Sequence, residues 1–94
     1  IKIVNMQNLL YKCAWEHDNN ISIRLDSALA KRYICKSATE VCSDAMQIFG
    51  GIGYTTETRA SRCWQDSRGW QFAGGTNEVM VHIAGRQIIK KYNK

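Results

Sequence analysis

At 94 residues the chain is one domain at most, and 13 Lys and Arg against 8 Asp and Glu leave a mild net charge of +5. A chain this short buries only roughly 60–65% of its unfolded surface, yet 45% of its residues are apolar, three Trp, four Tyr and two Phe among them. Some of that apolar surface is expected to face another domain or subunit. The cations are dispersed: Lys31, Arg32 and Lys36, then Arg59, Arg62 and Arg68, then Lys90, Lys91 and Lys94. They form no basic stripe alternating with exposed aromatics, which argues for solvated helix faces and against nucleic acid. Attraction to the phosphates of a nucleotide cofactor is an intermediate reading. No apolar run approaches about 18 residues and no signal peptide is visible, so no membrane span is expected. Cys13, Cys35, Cys42 and Cys63 include no CxxC pair. Cys35 and Cys42 stand about 10.5 Å apart along a helix, too far to bridge. Buried, reduced thiols without a metal are expected.

A first helix is expected over residues 2–17. Ile3, Met6, Leu10 and Cys13 recur at helical spacing, and Val4, Tyr11 and Trp15 form a second row beside them. The chain begins inside this amphipathic pattern with no N-cap residue and no Met, as expected of a fragment of a longer protein. Asp18-Asn19-Asn20 reads as a turn. A second helix starts between Ser22 and Asp26, both plausible N-caps, and continues to about Phe49, roughly 35–40 Å. Ile34, Ala38, Val41, Ala45 and Ile48 make one seam; Ala28, Cys35, Cys42 and Phe49 make an adjacent one. Two apolar seams, with Ala28, Ala30, Ala38 and Ala45 permitting close approach, place this helix centrally in an antiparallel bundle.

Gly50-Gly51-Ile52-Gly53-Tyr54 ends the second helix, with Gly50 or Gly51 suited to a left-handed C-cap. Threonines among Thr55-Thr56-Glu57-Thr58 can cap a third helix over residues 59–68. Residues 69–75 form a connector carrying Trp70 and Phe72. Thr76 caps a last helix running to about Tyr92, striped by Val79, Met80, Ile83, Ala84, Gln87 and Ile88. No strand-length alternation, repeat or low-complexity tract occurs. The fold class is all-α, with about four helices.

Two elements carry chemical information. One C-cap explains one glycine after a helix, but three glycines in four residues at Gly50, Gly51 and Gly53 leave bare backbone suited to a ligand or another chain. At Gly74-Gly75-Thr76, glycines precede a capped helix start whose N–H groups, at Asn77 and Glu78, suit an anion. Glu78 also complements the helix dipole in the first turn. His17 and His82 read as surface or capping residues. Trp64 and Trp70 read as lining for the connector's core.

Together these stretches resemble the C-terminal helical domain of acyl-CoA dehydrogenases, a flavoprotein family. The resemblance covers nearly the whole chain. Residues 24–31 look like the start of that family's long helix, Gln47 to Tyr54 like its QxxGGxGY loop, and Asp66 with Arg68 like its RDxR stretch. Gly75-Thr76-Asn77-Glu78-Val79, then Ile83-Ala84-Gly85-Arg86, look like its last helix. The resemblance implies oxidation of the Cα–Cβ bond of an acyl-CoA to the 2-enoyl-CoA, as in fatty acid β-oxidation, with FAD as cofactor. It also implies an electron-transfer flavoprotein as electron acceptor and a homotetramer, a dimer of dimers. By the same similarity Gln47, Ile48, Phe49, Gly50 and Gly51 touch the ADP half of FAD held by a neighbouring subunit. Thr76, Asn77 and Glu78 touch FAD from their own side, and Gly75 lies beside the acyl thioester. The compartment implied is the cytoplasm, or the mitochondrial matrix.

Two positions depart from the family pattern. Gly74 stands where many members carry the catalytic glutamate, so no catalytic residue is expected in this segment. Either the base comes from an earlier helix, as in the long-chain and isovaleryl-type branch, or dehydrogenase chemistry has been lost. Gln65 replaces the usual Arg of the RD pair. An acyl-CoA oxidase-like or non-catalytic relative, and a purely structural helical module, remain alternatives. The segment alone is expected to be inactive.

Overall fold

The long middle helix organises the molecule. The computed structural model describes residues 1–93; Lys94, counted above among the closing cations, lies outside them. The described residues are all-α: α1 (Lys2–Asp18), α2 (Arg24–Phe49), a 3₁₀ turn (Gly50–Tyr54), α3 (Ala60–Gly69) and α4 (Asn77–Tyr92). The 26 residues of α2 reach about 39 Å. α1, α3 and α4 each pack against α2, and none packs against another of the three among the described residues.

α1 runs antiparallel to α2. Lys2 pairs with Glu40 at 2.8 Å, Asn5 Nδ2 donates to Tyr33 Oη at 3.1 Å, and Lys12 pairs with Asp26 at 3.2 Å. α3 and α4 follow one another along the remaining flank, both antiparallel to α2. Ser61 and Trp64 of α3 share a cavity with Ser43, Met46 and Gln47 of α2. α4 starts beside Lys31 and runs back to Arg24. The slab measures 55 × 24 × 20 Å. The expected bundle is therefore an open one, three rows wide.

Ala28 and Ala30 are both buried. They lie about 200° apart around the helix, so α2 is covered from opposite sides, as two apolar seams demand. Ala60 and Ala84 are the buried apolar residues of α3 and α4. Alanines let helix axes approach closely but bury little area, and no large apolar side chain is fully buried among the described residues.

Several local expectations are corrected. The row of α1 that meets α2 is Met6, Leu9, Cys13 and Glu16, spaced three, four and three. Ile3, Val4, Leu10, Tyr11 and Trp15 face outward. Ile48, placed in the second-helix seam, is 87% exposed. Neither Ser22 nor Asp26 caps α2, whose N-cap is Ile23 with no side-chain bond. Asp26 turns instead to Lys12 across the helix pair. Gly50 takes φ +73°, as a C-cap glycine should, but its ψ of −151° sends the chain into the 3₁₀ turn rather than a left-handed cap. α3 begins at Ala60, one residue later than expected, with Arg59 rather than a threonine at its N-cap and no side-chain cap bond there; Thr58 Oγ1 accepts from Ala60 N at 3.3 Å. The cysteines are all unpaired, but none is fully buried: Cys13, Cys35 and Cys42 are half-buried and Cys63 is exposed.

The α1–α2 junction holds a buried acid that the pattern did not flag. Glu16 is 7% exposed, and its Oε1 has no partner. A shared hydrogen bond with Asp26, reinforced by burial, raises the Glu16 pKa. The same bond, with Lys12, holds Asp26 below the usual range. Burial, with both acids close by, pushes the Cys13 thiol up.

Candidate functional site

The first glycine corner closes the C-terminal end of α2. Ser43, Met46, Gln47 and Gly50 recur at helical spacing along one face there, opposite Ser61, Trp64 and Gln65 at the same spacing on α3. Between them lies an open cavity of about 870 Å³, its rim completed by Gly51 and Tyr54. Of the residues expected to hold cofactor here, Gln47, Gly50 and Gly51 line this cavity; Ile48 and Phe49 do not. Both of those side chains are exposed, as are Ile52 and Tyr54, so an apolar rim surrounds the corner.

The three glycines of this corner divide by role. A Cβ on Gly53 would lie 2.7 Å from Phe49 Cβ and 2.9 Å from the Met46 carbonyl oxygen. Gly53 is thus a packing glycine that seats the 3₁₀ turn on the last turn of α2. A Cβ on Gly51 would meet nothing within 4 Å, and its φ lies outside the left-handed region. No contact within the chain explains the missing side chain at Gly51. The surplus of bare backbone noted in the sequence reduces to this position.

The second corner is the connector from α3 to α4. Gly74 and Gly75 take φ of +67° and +108° in succession. This double left-handed step turns the chain into α4 and requires glycine. Thr76 caps α4, its Oγ1 accepting from Val79 N at 3.1 Å. Asn77 corrects the expectation of a free donor, since its N–H is taken by the Gln71 carbonyl at 2.9 Å. The N–H groups of Thr76 and Glu78 find no acceptor among the described residues. Asn77 Oδ1 is buried without a donor. Its Nδ2 faces Gln71 Oε1 at 3.4 Å, and Gln71 Nε2 in turn donates to Thr39 Oγ1 at 2.8 Å. Lys31 Nζ donates to the carbonyls of Trp70, at 2.9 Å, and Gly75. The Glu78 side chain is exposed in the first turn.

The two corners are apart. Gln47 follows Thr39 by 47 − 39 = 8 residues and Lys31 by 47 − 31 = 16. Those steps are about 12 and 24 Å along the axis of α2. One copy of the chain therefore offers two separate backbone surfaces rather than one enclosed pocket. Free N–H donors at the second suit an anion, glycine backbone beside Trp64 and Tyr54 at the first suits a flat-faced ligand, and the buried Asn77 Oδ1 suits a ligand hydroxyl or N–H donor. Trp64 faces the cavity rather than the connector, and Trp70 is 62% exposed. Gln65, in place of the usual Arg, also lines the cavity, while Asp66 finds Arg62 at 3.7 Å on the surface. The period of α3 carried these cavity residues (61, 64 and 65), but its short length obscured which face was which. No group of His, Cys, Asp and Glu among the described residues could hold a metal ion.

The acyl-CoA dehydrogenase C-terminal domain profile matches residues 1–89. A probable acyl-CoA dehydrogenase of Escherichia coli K12, YdiO, is 52% identical over 98% of this chain and 24% of its own length. The crystal structure of an acyl-CoA dehydrogenase from Slackia heliotrinireducens superposes with a TM-score of 0.93 at 55% identity, over 98% of this chain and 24% of that one. Butyryl-CoA dehydrogenase from Megasphaera elsdenii gives 0.90 at 35% identity, over 94% and 23%. The chain thus spans about a quarter of the length of the relatives it matches. With the helix order, both glycine corners and the sequence match in agreement, this chain belongs to the acyl-CoA dehydrogenase family, whose C-terminal domain it matches.

Proposed function

We propose that these 94 residues are the C-terminal helical domain of a longer, FAD-dependent acyl-CoA dehydrogenase that converts an acyl-CoA to its 2-enoyl-CoA. The observation that carries the reading is Gly51: open backbone beside a cavity of about 870 Å³, with no packing reason for a missing side chain. When bound, FAD supplies the acceptor for the hydride leaving the β-carbon. The residues present fit it. Gln47, Gly50 and Gly51 offer an unobstructed backbone and an amide to the ADP half. Ile48 and Phe49, both exposed, extend the apolar rim and offer it to the subunit that would hold the rest of the dinucleotide.

Thr76 and Glu78 contribute outward N–H donors, and Asn77 a buried carbonyl oxygen that awaits a donor. The two corners lie about 12 to 24 Å apart along α2, and in this reading they serve two different cofactors. With the exposed apolar faces of the slab, the reading is a homotetramer, built as a dimer of dimers, with FAD at a subunit boundary. Gly75, at the tip of the left-handed step, lets the acyl thioester approach the backbone. Gly74 has no side chain to abstract a proton, so the α-proton is taken by a carboxylate elsewhere in the full chain. An electron-transfer flavoprotein accepts the electrons.

No helix of the described residues is long and apolar enough to cross a membrane. The cytoplasm is the compartment of this reading, a bacterial protein being among the relatives. In a eukaryotic host the mitochondrial matrix would be the corresponding compartment.

Anaerobic addition of acyl-CoA to the full-length protein tests the reading. Bleaching of bound flavin, with reoxidation by an electron-transfer flavoprotein faster than by oxygen, is expected. Fast reoxidation by oxygen would make the protein an oxidase. Flavin that stays oxidised with every acyl-CoA tried would contradict the dehydrogenase assignment.

A further inference from the structure

Lys31 is a cation that neutralises nothing. No carboxylate of the described residues stands within ion-pair distance of it. Its ammonium instead donates to two neutral carbonyls, those of Trp70 and Gly75, across 39 and 44 residues of sequence. These two carbonyls bracket the connector: one opens it at the end of α3, the other closes it just before the cap of α4. Between them the chain passes through Gly74, and Gly75 itself is also left-handed. Two successive glycines leave the backbone more alternatives than any other pair of residues would. The Asn77 N–H bond to the Gln71 carbonyl closes the connector from within, but no backbone N–H among the described residues meets the Gly75 carbonyl, whose orientation is left to a side chain.

The planar trans peptide makes that orientation consequential. Across it the carbonyl of Gly75 and the N–H of Thr76 point in opposite directions. The Lys31 ammonium draws the Gly75 carbonyl in toward α2. The Thr76 N–H is thereby turned away from α2, where no acceptor among the described residues meets it. A positive charge on the carbonyl also polarises the same peptide and strengthens its N–H as a donor. Gln71 adds a neutral tie from the connector to Thr39 of α2. That tie fixes the middle of the connector but leaves the Gly75–Thr76 peptide free to flip.

We propose that Lys31 is a positioning residue whose ammonium staples both ends of the connector to α2 and so aims the Thr76 N–H at the ligand. The inference rests on the proposed function for the identity of that ligand, FAD with its bound acyl-CoA. Lys31 itself touches neither.

The test uses the full-length protein with Lys31→Met, which keeps the stem and removes the donors, and Lys31→Arg, which restores charge and a two-donor fork. Amide hydrogen exchange over residues 71–78 reads the staple, and titration with FAD reads its consequence. In Lys31→Met, exchange in that segment rises roughly tenfold or more and the FAD dissociation constant rises by a similar factor, the scale of a lost charge-assisted hydrogen bond. Lys31→Arg returns both to within about threefold of wild type, which a purely space-filling role for the stem would not produce. Should Lys31→Met fail to fold, Lys31→Gln, shorter and neutral, is measured in the same way. Unchanged exchange at residues 71–78 overturns the staple. Faster exchange with unchanged FAD affinity overturns the aiming role. Wild-type protein that binds no FAD at all overturns the proposed function itself, a failure visible without any variant.

Discussion

Adding one methyl group at each of two neighbouring glycines separates packing from ligand binding at the first corner. In Gly53→Ala the new Cβ would sit 2.7 Å from Phe49 Cβ, 2.9 Å from the Met46 carbonyl oxygen and 3.3 Å from Met46 Cα. Carbon contacts settle near about 3.5–4.0 Å, so the 3₁₀ turn must lift by roughly 1 Å. The clashing atoms belong to helix backbone or lie one bond from it and cannot swing aside. Overpacking of this kind costs about 1–3 kcal/mol. In Gly51→Ala the new Cβ meets nothing within 4 Å. Stability there should hold or rise by up to about 0.4–1 kcal/mol, because alanine restricts the unfolded chain. If a dinucleotide lies on that backbone, the same methyl stands between ligand and peptide. A penalty of about 1–3 kcal/mol then becomes roughly 5- to 150-fold in the FAD dissociation constant. Urea unfolding followed by tryptophan fluorescence, with Trp64 beside the turn, reads the first quantity. FAD titration of the full-length protein reads the second. Gly51→Ala with wild-type FAD affinity, or Gly53→Ala with wild-type stability, would refute the division of roles.

Three further outcomes follow from the same geometry. Thr76→Ala removes the acceptor for Val79 N–H and should lower stability by about 1 kcal/mol, with Thr76→Ser restoring most of it in the same melt. Glu16 is held above its ordinary value of 4.5, so its contribution to stability is complete below that value and is lost as pH rises through the raised folded pKa. Asp26, held below 3.8, contributes stability above that value, lost as pH falls through its lowered pKa. Glu16→Gln stays neutral throughout, so it should melt higher than wild type near about pH 7, with the gain vanishing near about pH 4. A gain that grew on acidification would contradict the shared-proton account of Glu16 and Asp26. Finally, Tyr11, Trp15, Ile48 and Tyr54 lie exposed on the slab. The 94-residue chain should therefore sediment as more than a monomer. A clean monomer at micromolar concentration would count against the outward apolar faces being interfaces.

Much of the architecture was legible because helices advertise themselves by period and punctuation. Thr76 was readable as a cap because a hydroxyl before an apolar stripe has one favourable use there, and it caps α4. The central place of α2 was readable from its two apolar seams, and the structure buries alanines on opposite faces of the helix, at Ala28 and Ala30. What failed was the choice among apolar rows. On α1 the rows through Ile3 and Leu10 look as good as the row through Met6, Leu9 and Cys13. The inward row is flanked by Lys2–Glu40, Asn5–Tyr33 and Lys12–Asp26 across the helix pair, contacts no periodicity encodes. Ile48 failed for the complementary reason: its seam continues past the point where any helix of this chain covers it.

The candidate site was legible as motif but not as geometry. The resemblance marked Gln47 to Gly51 and Gly75 to Glu78, yet nothing in the sequence distinguished Gly53, required by packing, from Gly51, which is not. Nor did it reveal that the Asn77 N–H is taken by Gln71. Such facts depend on which carbonyl a loop turns inward. In the connector that is decided by Lys31, more than forty residues away from Gly75 along the chain.

A crystal structure of the full-length protein grown with FAD is the most direct measurement. The account predicts the adenosine diphosphate half lying on the Gln47–Gly51 backbone of one protomer, with the flavin end of the same molecule meeting Thr76 and Asn77 of another. Side chains from a neighbouring protomer filling both corners, with the dinucleotide bound elsewhere, would contradict it.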